Sequence, residues 1–124
     1  MPFTLERDDV RRRLTVTIWG SISAEQDLEI IARLRQEPHA SRYGIFYDAV
    51  GAIGTPTIVD AKRYINAELA TLGSVSRGPV AVLVSDPTIY SVACIYAALG
   101  RGTLNIEVFQ NREEAEQWLA KQVK

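Results

Sequence analysis

Apolar and polar residues alternate along the first part of the chain with a period of two. Leu14, Val16 and Ile18 are separated by Thr15 and Thr17, and Phe3 to Arg7 has the same character. This predicts two strands, Phe3 to Arg7 and Arg13 to Trp19, joined as a half-buried hairpin by the charged turn around Asp8-Asp9. The period then lengthens. Ser23-Ala24-Glu25-Gln26 is a capping box, in which the serine hydroxyl and the glutamine side chain each satisfy one free backbone N–H. The helix it opens has the stripe Leu28, Ile31, Ala32 and Leu34, and Pro38 stops it.

Gly44-Ile45-Phe46-Tyr47-Asp48 predicts the next strand, followed by a loop from Gly51 to Pro56 and a second capping box, Thr57-Ile58-Val59-Asp60. Ile58, Ala61, Ile65, Leu69 and Leu72 recur every three or four residues, so a second helix follows. Gly73 and Gly78 bracket a polar loop. Val80-Ala81-Val82-Leu83-Val84 has no alternation, which reads as a strand covered on both faces and places it at the centre of the sheet. Ser85-Asp86-Pro87 supplies an N-cap and an N1 proline for a third helix running to Leu99. Leu104 to Phe109 reads as the last strand. Asn111 caps a closing helix anchored by Ala115, Trp118 and Leu119.

The order β-β-α-β-α-β-α-β-α predicts an α/β fold. Its sheet is mostly parallel, with right-handed crossovers and an antiparallel N-terminal hairpin. With no linker, repeat or low-complexity segment, residues 1–124 are expected to form a single domain.

Composition narrows the class of function. At 124 residues, 47% hydrophobic and 23% charged, the chain can bury a core without a disulfide or a structural metal. Fourteen basic against 15 acidic residues give a net charge of -1, too balanced for a face that grips phosphates, so nucleic acid is not an expected partner. The run Arg11-Arg12-Arg13 follows Glu6, Asp8 and Asp9 and reads as a solvated hairpin edge. One cysteine, Cys94, and one histidine, His39, exclude a Cys/His zinc site, so no metal and no cofactor are expected. Cys94 falls mid-helix without an activating cation. His39 sits in a loop at the end of the sheet opposite the expected cleft, so neither a Cys/His pair nor a Ser/His/Asp triad is expected. Charge precedes any apolar run at the N-terminus, and no stretch approaches the roughly 20 apolar residues of a membrane span. The expectation is a cytoplasmic, non-enzymatic protein.

The element order, the strand Ile45-Phe46-Tyr47-Asp48, the segment Tyr90 to Leu99 and the ending Val108-Phe109 through Glu114-Ala115 to Trp118-Leu119 resemble the SpoIIAA-like family. That family belongs to the STAS (sulphate transporter and anti-sigma antagonist) superfamily. The resemblance covers nearly the whole chain and implies a regulatory, protein-binding role. It makes Asp48 the counterpart of the aspartate that ends the strand before the second helix, and Thr57 the counterpart of the phosphorylatable serine. Pro56, Ile58 and Val59 depart from the residues that surround that serine, so capping is the expected role of Thr57. The arginine that the SpoIIAA-like branch often carries near the position of Cys94 is missing here.

In parallel sheets, ligands gather where loops leave the carboxyl ends of strands. Ser21, Ser23, Asp48, Thr55, Thr57, Ser85, Asp86 and Asn111 fall at such ends, several of them as N-caps. Gly51-x-x-Gly54 lacks the Gly-Lys-Ser/Thr ending of a P-loop. On the third helix, Ile89, Val92, Tyr96 and Leu99 are expected to face the sheet, while Ser91, Cys94 and Ala98 point away, flanked by Tyr90 and Ile95. Two readings follow. In the first, the Asp48 to Thr57 loop and the neighbouring helix face bind a protein partner; the small outward residues of the third helix suggest a homodimer contact or a ligand wall there. In the second, the third helix and the strand ends bind a small apolar or amphipathic ligand, lipid-like or a nucleotide. The contact residues expected are Asp48, Thr55, Thr57, Asp86, Tyr90, Ser91, Cys94 and Ala98.

Overall fold

In a computed structural model, the structure describes residues 3–21, 23–38, 42–72 and 78–123. The elements run β1 (Phe3–Asp8), β2 (Arg13–Ser21), α1 (Ala24–Gln36), β3 (Gly44–Ile53), α2 (Ile58–Leu72), β4 (Val80–Val84), α3 (Pro87–Gly100), β5 (Ile106–Phe109) and α4 (Arg112–Gln122). This is the order expected from the sequence. The five strands form one sheet in the order β1-β2-β3-β4-β5, antiparallel between β1 and β2 and parallel thereafter. The central strand is therefore β3. β4 lies one place towards the edge, although its uniformly apolar sequence suggested the centre. Both strands are covered on two faces, and an apolar run reports that covering rather than rank in the sheet.

Because each strand is added on the same side of the last, right-handed crossovers carry α1, α2 and α3 to one face of the sheet. The main core lies there. It joins Leu14, Val16 and Ile18 of β2 with Ile45 and Ala49 of β3, Ile30 and Leu34 of α1, Ile65 of α2 and Ala97 of α3. The other face is covered by α4, whose Ala115 and Leu119 pack on Phe46, Ala81 and Leu83. Trp118 leans on Phe109 with ring centroids 5.9 Å apart.

Several expected details shift. In α1 the buried positions are Ile30, Ile31 and Leu34, with Ala32 exposed. In α2 the buried face is Ala61, Ile65 and Glu68, leaving Ile58 and Leu69 exposed, because α2 packs against both α1 and α3 and not on the sheet alone. In α3 Leu99 is 44% exposed, and Ala97 and Gly100 are buried in its place. A Cβ on Gly100 would stand 2.7 Å from Ile65 Cδ1, so glycine permits the close approach of α3 to α2. The last strand begins at Ile106, and Leu104 before it makes an isolated bridge to Arg101 while its N–H donates to the Gly100 carbonyl at 2.8 Å. Arg13 is not part of a solvated edge. It is buried under α4, where Nη1 donates to Glu116 Oε2 at 2.7 Å. The turn before it is built by Asp8, whose Oδ1 accepts from the N–H groups of Val10 and Arg11.

Candidate functional site

The carboxyl end of β3 contains one residue more than β2 opposite it. Thr17 pairs with Asp48 and Trp19 with Gly51, so two steps on β2 face three on β3. Such a bulge reverses which side chains face the core beyond it. Before it, Ile45, Tyr47 and Ala49 point to the main core; after it, Ala52 does. Ile53, which an unbroken alternation from Ala49 would bury, is turned outwards and is 57% exposed. The expected Gly51 to Pro56 loop is thus a bulged strand as far as Ile53 and a short connection only from residue 54 to residue 57.

Asp48 holds the bulge. Its Oδ1 accepts from the Val50 N–H at 3.3 Å, and its Oδ2 receives Arg112 Nη2 of α4 at 2.8 Å. From the other side, the Ser85 hydroxyl at the end of β4 donates to the Val50 carbonyl at 3.0 Å. Asp48 and Ser85 therefore meet on the two polar groups of one bulge residue. Two guanidinium groups approach the Phe46 ring, with Arg13 Cζ 5.4 Å and Arg112 Cζ 6.0 Å from its centre.

Thr57 caps α2. Its Oγ1 accepts from the Asp60 N–H at 3.2 Å, and Asp60 Oδ2 accepts from the Thr57 N–H at 2.9 Å, a complete capping box. Ser23 and Gln26 make the same arrangement at α1. Asp86 accepts from the N–H groups of Thr88 and Ile89, and Asn111 from that of Glu114. Thr55 is exposed. Asp48, Thr55, Thr57 and Asp86 thus fall at one end of the sheet, where Trp19, Val50 and Ile53 on the strands and Ile58 and Val59 at the start of α2 are also exposed. Trp19 and Ile53 share the face on which Trp19 opposes Gly51 and Ser21 opposes Ile53, a diagonal separation within reach of an indole ring.

The α3 residues form a second set. Ser91 and Ala98 are exposed, and Cys94 is half-buried. The Ser91 hydroxyl donates to the Pro87 carbonyl. Hydrogen bonding between Tyr90 and Cys94 raises the Tyr90 pKa above its ordinary value. His39 lies outside the described residues.

The sheet-facing side of α3 helps line a cavity of about 120 Å³, partly open, between the main face of the sheet and helices α1, α2 and α3. Its wall is apolar, drawn from Ile18, Ala49, Val82 and Val84 on the sheet, Ile31 on α1, and Ile89, Val92 and Ala93 on α3. Asp27, Tyr64 and Tyr96 bring polar atoms to it. The Tyr64 hydroxyl donates to the Asp27 carboxylate. Desolvation by the surrounding core, reinforced by the Asp60 carboxylate and opposed by the Tyr64 bond, raises the Asp27 pKa to about 6. Burial, and then the charge of Asp27, raises that of Tyr64. The rings of Tyr64 and Tyr96 meet edge to face at 6.5 Å. Sequence reasoning does not single out Asp27 and Tyr64 as site residues, although it turns Tyr96 of the third helix towards the sheet. A signal for Asp27 exists, since it shares a helix face with Ile31 and Leu34, where an acid is costly unless something answers it.

Among the described residues no three His, Cys, Asp or Glu side chains gather as metal ligands, and no helix is long and apolar enough to cross a membrane. No family model matches the sequence, and no curated protein matches it. The chain has the SpoIIAA fold. The chain is similar to a solved structure of the anti-sigma factor antagonist SpoIIAA in its unphosphorylated form, with a TM-score of 0.60 over 98% of this chain and 99% of that one, at 16% sequence identity.

Proposed function

We propose that the protein is a non-enzymatic regulatory module that binds a protein partner through the bulged end of its sheet. One observation carries this reading: at the carboxyl end of the sheet Ile53 is 57% exposed on the same strand face as Trp19, and Ile58 and Val59 at the start of α2 are 54% and 67% exposed. Large apolar side chains exposed at one end of a fold favour a macromolecular contact, because covering them releases their hydration water. The backbone beneath them is fixed by Asp48, Ser85 and the Thr57 cap, so little ordering entropy is lost on binding. SpoIIAA, named for antagonising an anti-sigma factor, supports a partner of regulatory type. Thr57 serves here as a cap, and regulation through its phosphorylation is not part of the reading. The proposal includes one domain over residues 1–124 and a cytoplasmic location, where the Cys94 thiol stays reduced.

The test is affinity purification from the source cells of tagged wild type and of an Ile53→Asp/Val59→Asp variant, followed by comparison of the bound proteins. A partner retained by the wild type and lost by an equally stable variant supports the reading. Identical sets of bound proteins overturn it.

A second reading, self-association through the outward side of α3, is favoured by Leu99, 44% exposed beside the small residues Ala98 and Ser91. Light scattering of wild type and of Ala98→Arg distinguishes it: a dimer dissociated by the buried charge supports it, and a monomeric wild type ends it.

A further inference from the structure

The cavity under α3 opens on the sheet face covered by α1, α2 and α3, opposite the face that carries Trp19 and Ile53. Native interiors contain few voids larger than a water molecule, and an engineered apolar cavity of about 150 Å³ accommodates benzene. At about 120 Å³ this one is of comparable size. It differs in carrying a carboxylate at its wall.

The charges around that carboxylate are one-sided. Asp27 comes from α1. From α2 it faces the Tyr64 hydroxyl, which donates to it, and the Asp60 carboxylate, which repels it, while Arg63 acts on Tyr64. From α3 the group nearest this corner is the Tyr96 ring, packed on Tyr64. No ion pair to Asp27 occurs among the described residues. An acid in an apolar recess with a single hydroxyl for support is poorly compensated, and a cation would restore what desolvation removes. Tyrosine rings beside the carboxylate add the attraction of their faces for an alkylammonium group.

We propose that this cavity binds a small organic ammonium ion, its head at the Asp27 carboxylate beside Tyr64 and Tyr96 and its apolar body against Ile31, Val82 and Val92. The volume limits the body to about one six-membered ring or a short alkyl chain. An anion is disfavoured by both Asp27 and Asp60, and a neutral molecule of the same shape leaves Asp27 unanswered.

Benzylamine, benzyl alcohol and benzoate form a series of one shape and three charges, each of which can be titrated into the full chain by calorimetry and by amide NMR. Benzylamine should bind at pH 7.5, moving amide signals of α1, α2 and α3, and should bind at least ten times more tightly than the alcohol or the acid. Its affinity should fall as the pH is lowered from 7.5 to 5 and Asp27 takes up a proton, whereas that of the alcohol should not change. Asp27→Asn should weaken the amine at least ten-fold, and Ala93→Phe, which fills the cavity, should abolish binding of all three. Equal affinity for amine and alcohol, preference for benzoate, or amine binding indifferent to pH would each overturn the proposal. These three readouts need only the wild type, so the proposal stays falsifiable even where a variant fails to fold.

Discussion

The Arg112 guanidinium, on the first residue of α4, lies 2.8 Å from Oδ2 of Asp48, midway along β3 and just before its bulge. The same carboxylate, through Oδ1, holds the Val50 N–H inside the bulge. One aspartate thus joins the helix on one face of the sheet to the irregularity that exposes Ile53.

Arg112 is half exposed, and a pair of this kind contributes about 0.5–1 kcal/mol. A double-mutant cycle with Asp48→Asn and Arg112→Gln, followed by urea denaturation, should return a coupling of about that size. Raising the salt to about 1 M should reduce it. Asp48→Ala should cost more than Arg112→Ala, since it also strips the Val50 N–H of its acceptor.

The Arg13–Glu116 pair is of the same chemical type but sits deeper, with Arg13 almost wholly covered. Glu116→Ala leaves that guanidinium buried over Phe46 without its carboxylate and should cost on the order of 2 kcal/mol. Glu113→Ala, on the exposed side of α4, should stay within about 0.5 kcal/mol of wild type. Chemical denaturation of the two variants checks the contrast.

Thr57→Ala removes one half of the α2 capping box and should lower stability by about 1 kcal/mol, while Thr57→Ser should be nearly silent. Equal stability of the alanine and serine variants in thermal melts would refute this account of Thr57.

Asp27 has a folded pKa of about 6 against an ordinary 3.8. The folded state therefore holds this proton more tightly than the unfolded chain. The stability it contributes is fully present below about pH 4 and is lost as the pH rises through about 6, a change on the order of 3 kcal/mol. Asp27→Asn keeps an acceptor for Tyr64 and loses the titration, so it should gain stability relative to wild type between pH 4 and pH 7. Urea denaturation of both proteins across that range measures the difference.

Local chemistry was legible in the sequence wherever a few neighbouring residues decide it. The capping boxes at Ser23 and Thr57, the N-caps at Asp86 and Asn111, and the hairpin all depend on groups within four residues or on a simple alternation. The element order follows from them, and with it the α/β fold. The register between strands was not legible, because the extra residue between Asp48 and Gly51 is defined only against β2. Without it Ile53 would be assigned to the core and the exposed apolar end would vanish. The burial of Arg13 depends on where α4 crosses the sheet, far along the chain. The Asp27 cavity requires α1, α2 and α3 to stand side by side on one face. Periodicity can tell that each helix has an apolar stripe, but it cannot tell that the stripes leave a gap with a carboxylate at its edge. Which residues can meet was set by sequence, and which do meet was decided by strand register and helix packing, because those depend on distances between segments that the chain order does not contain.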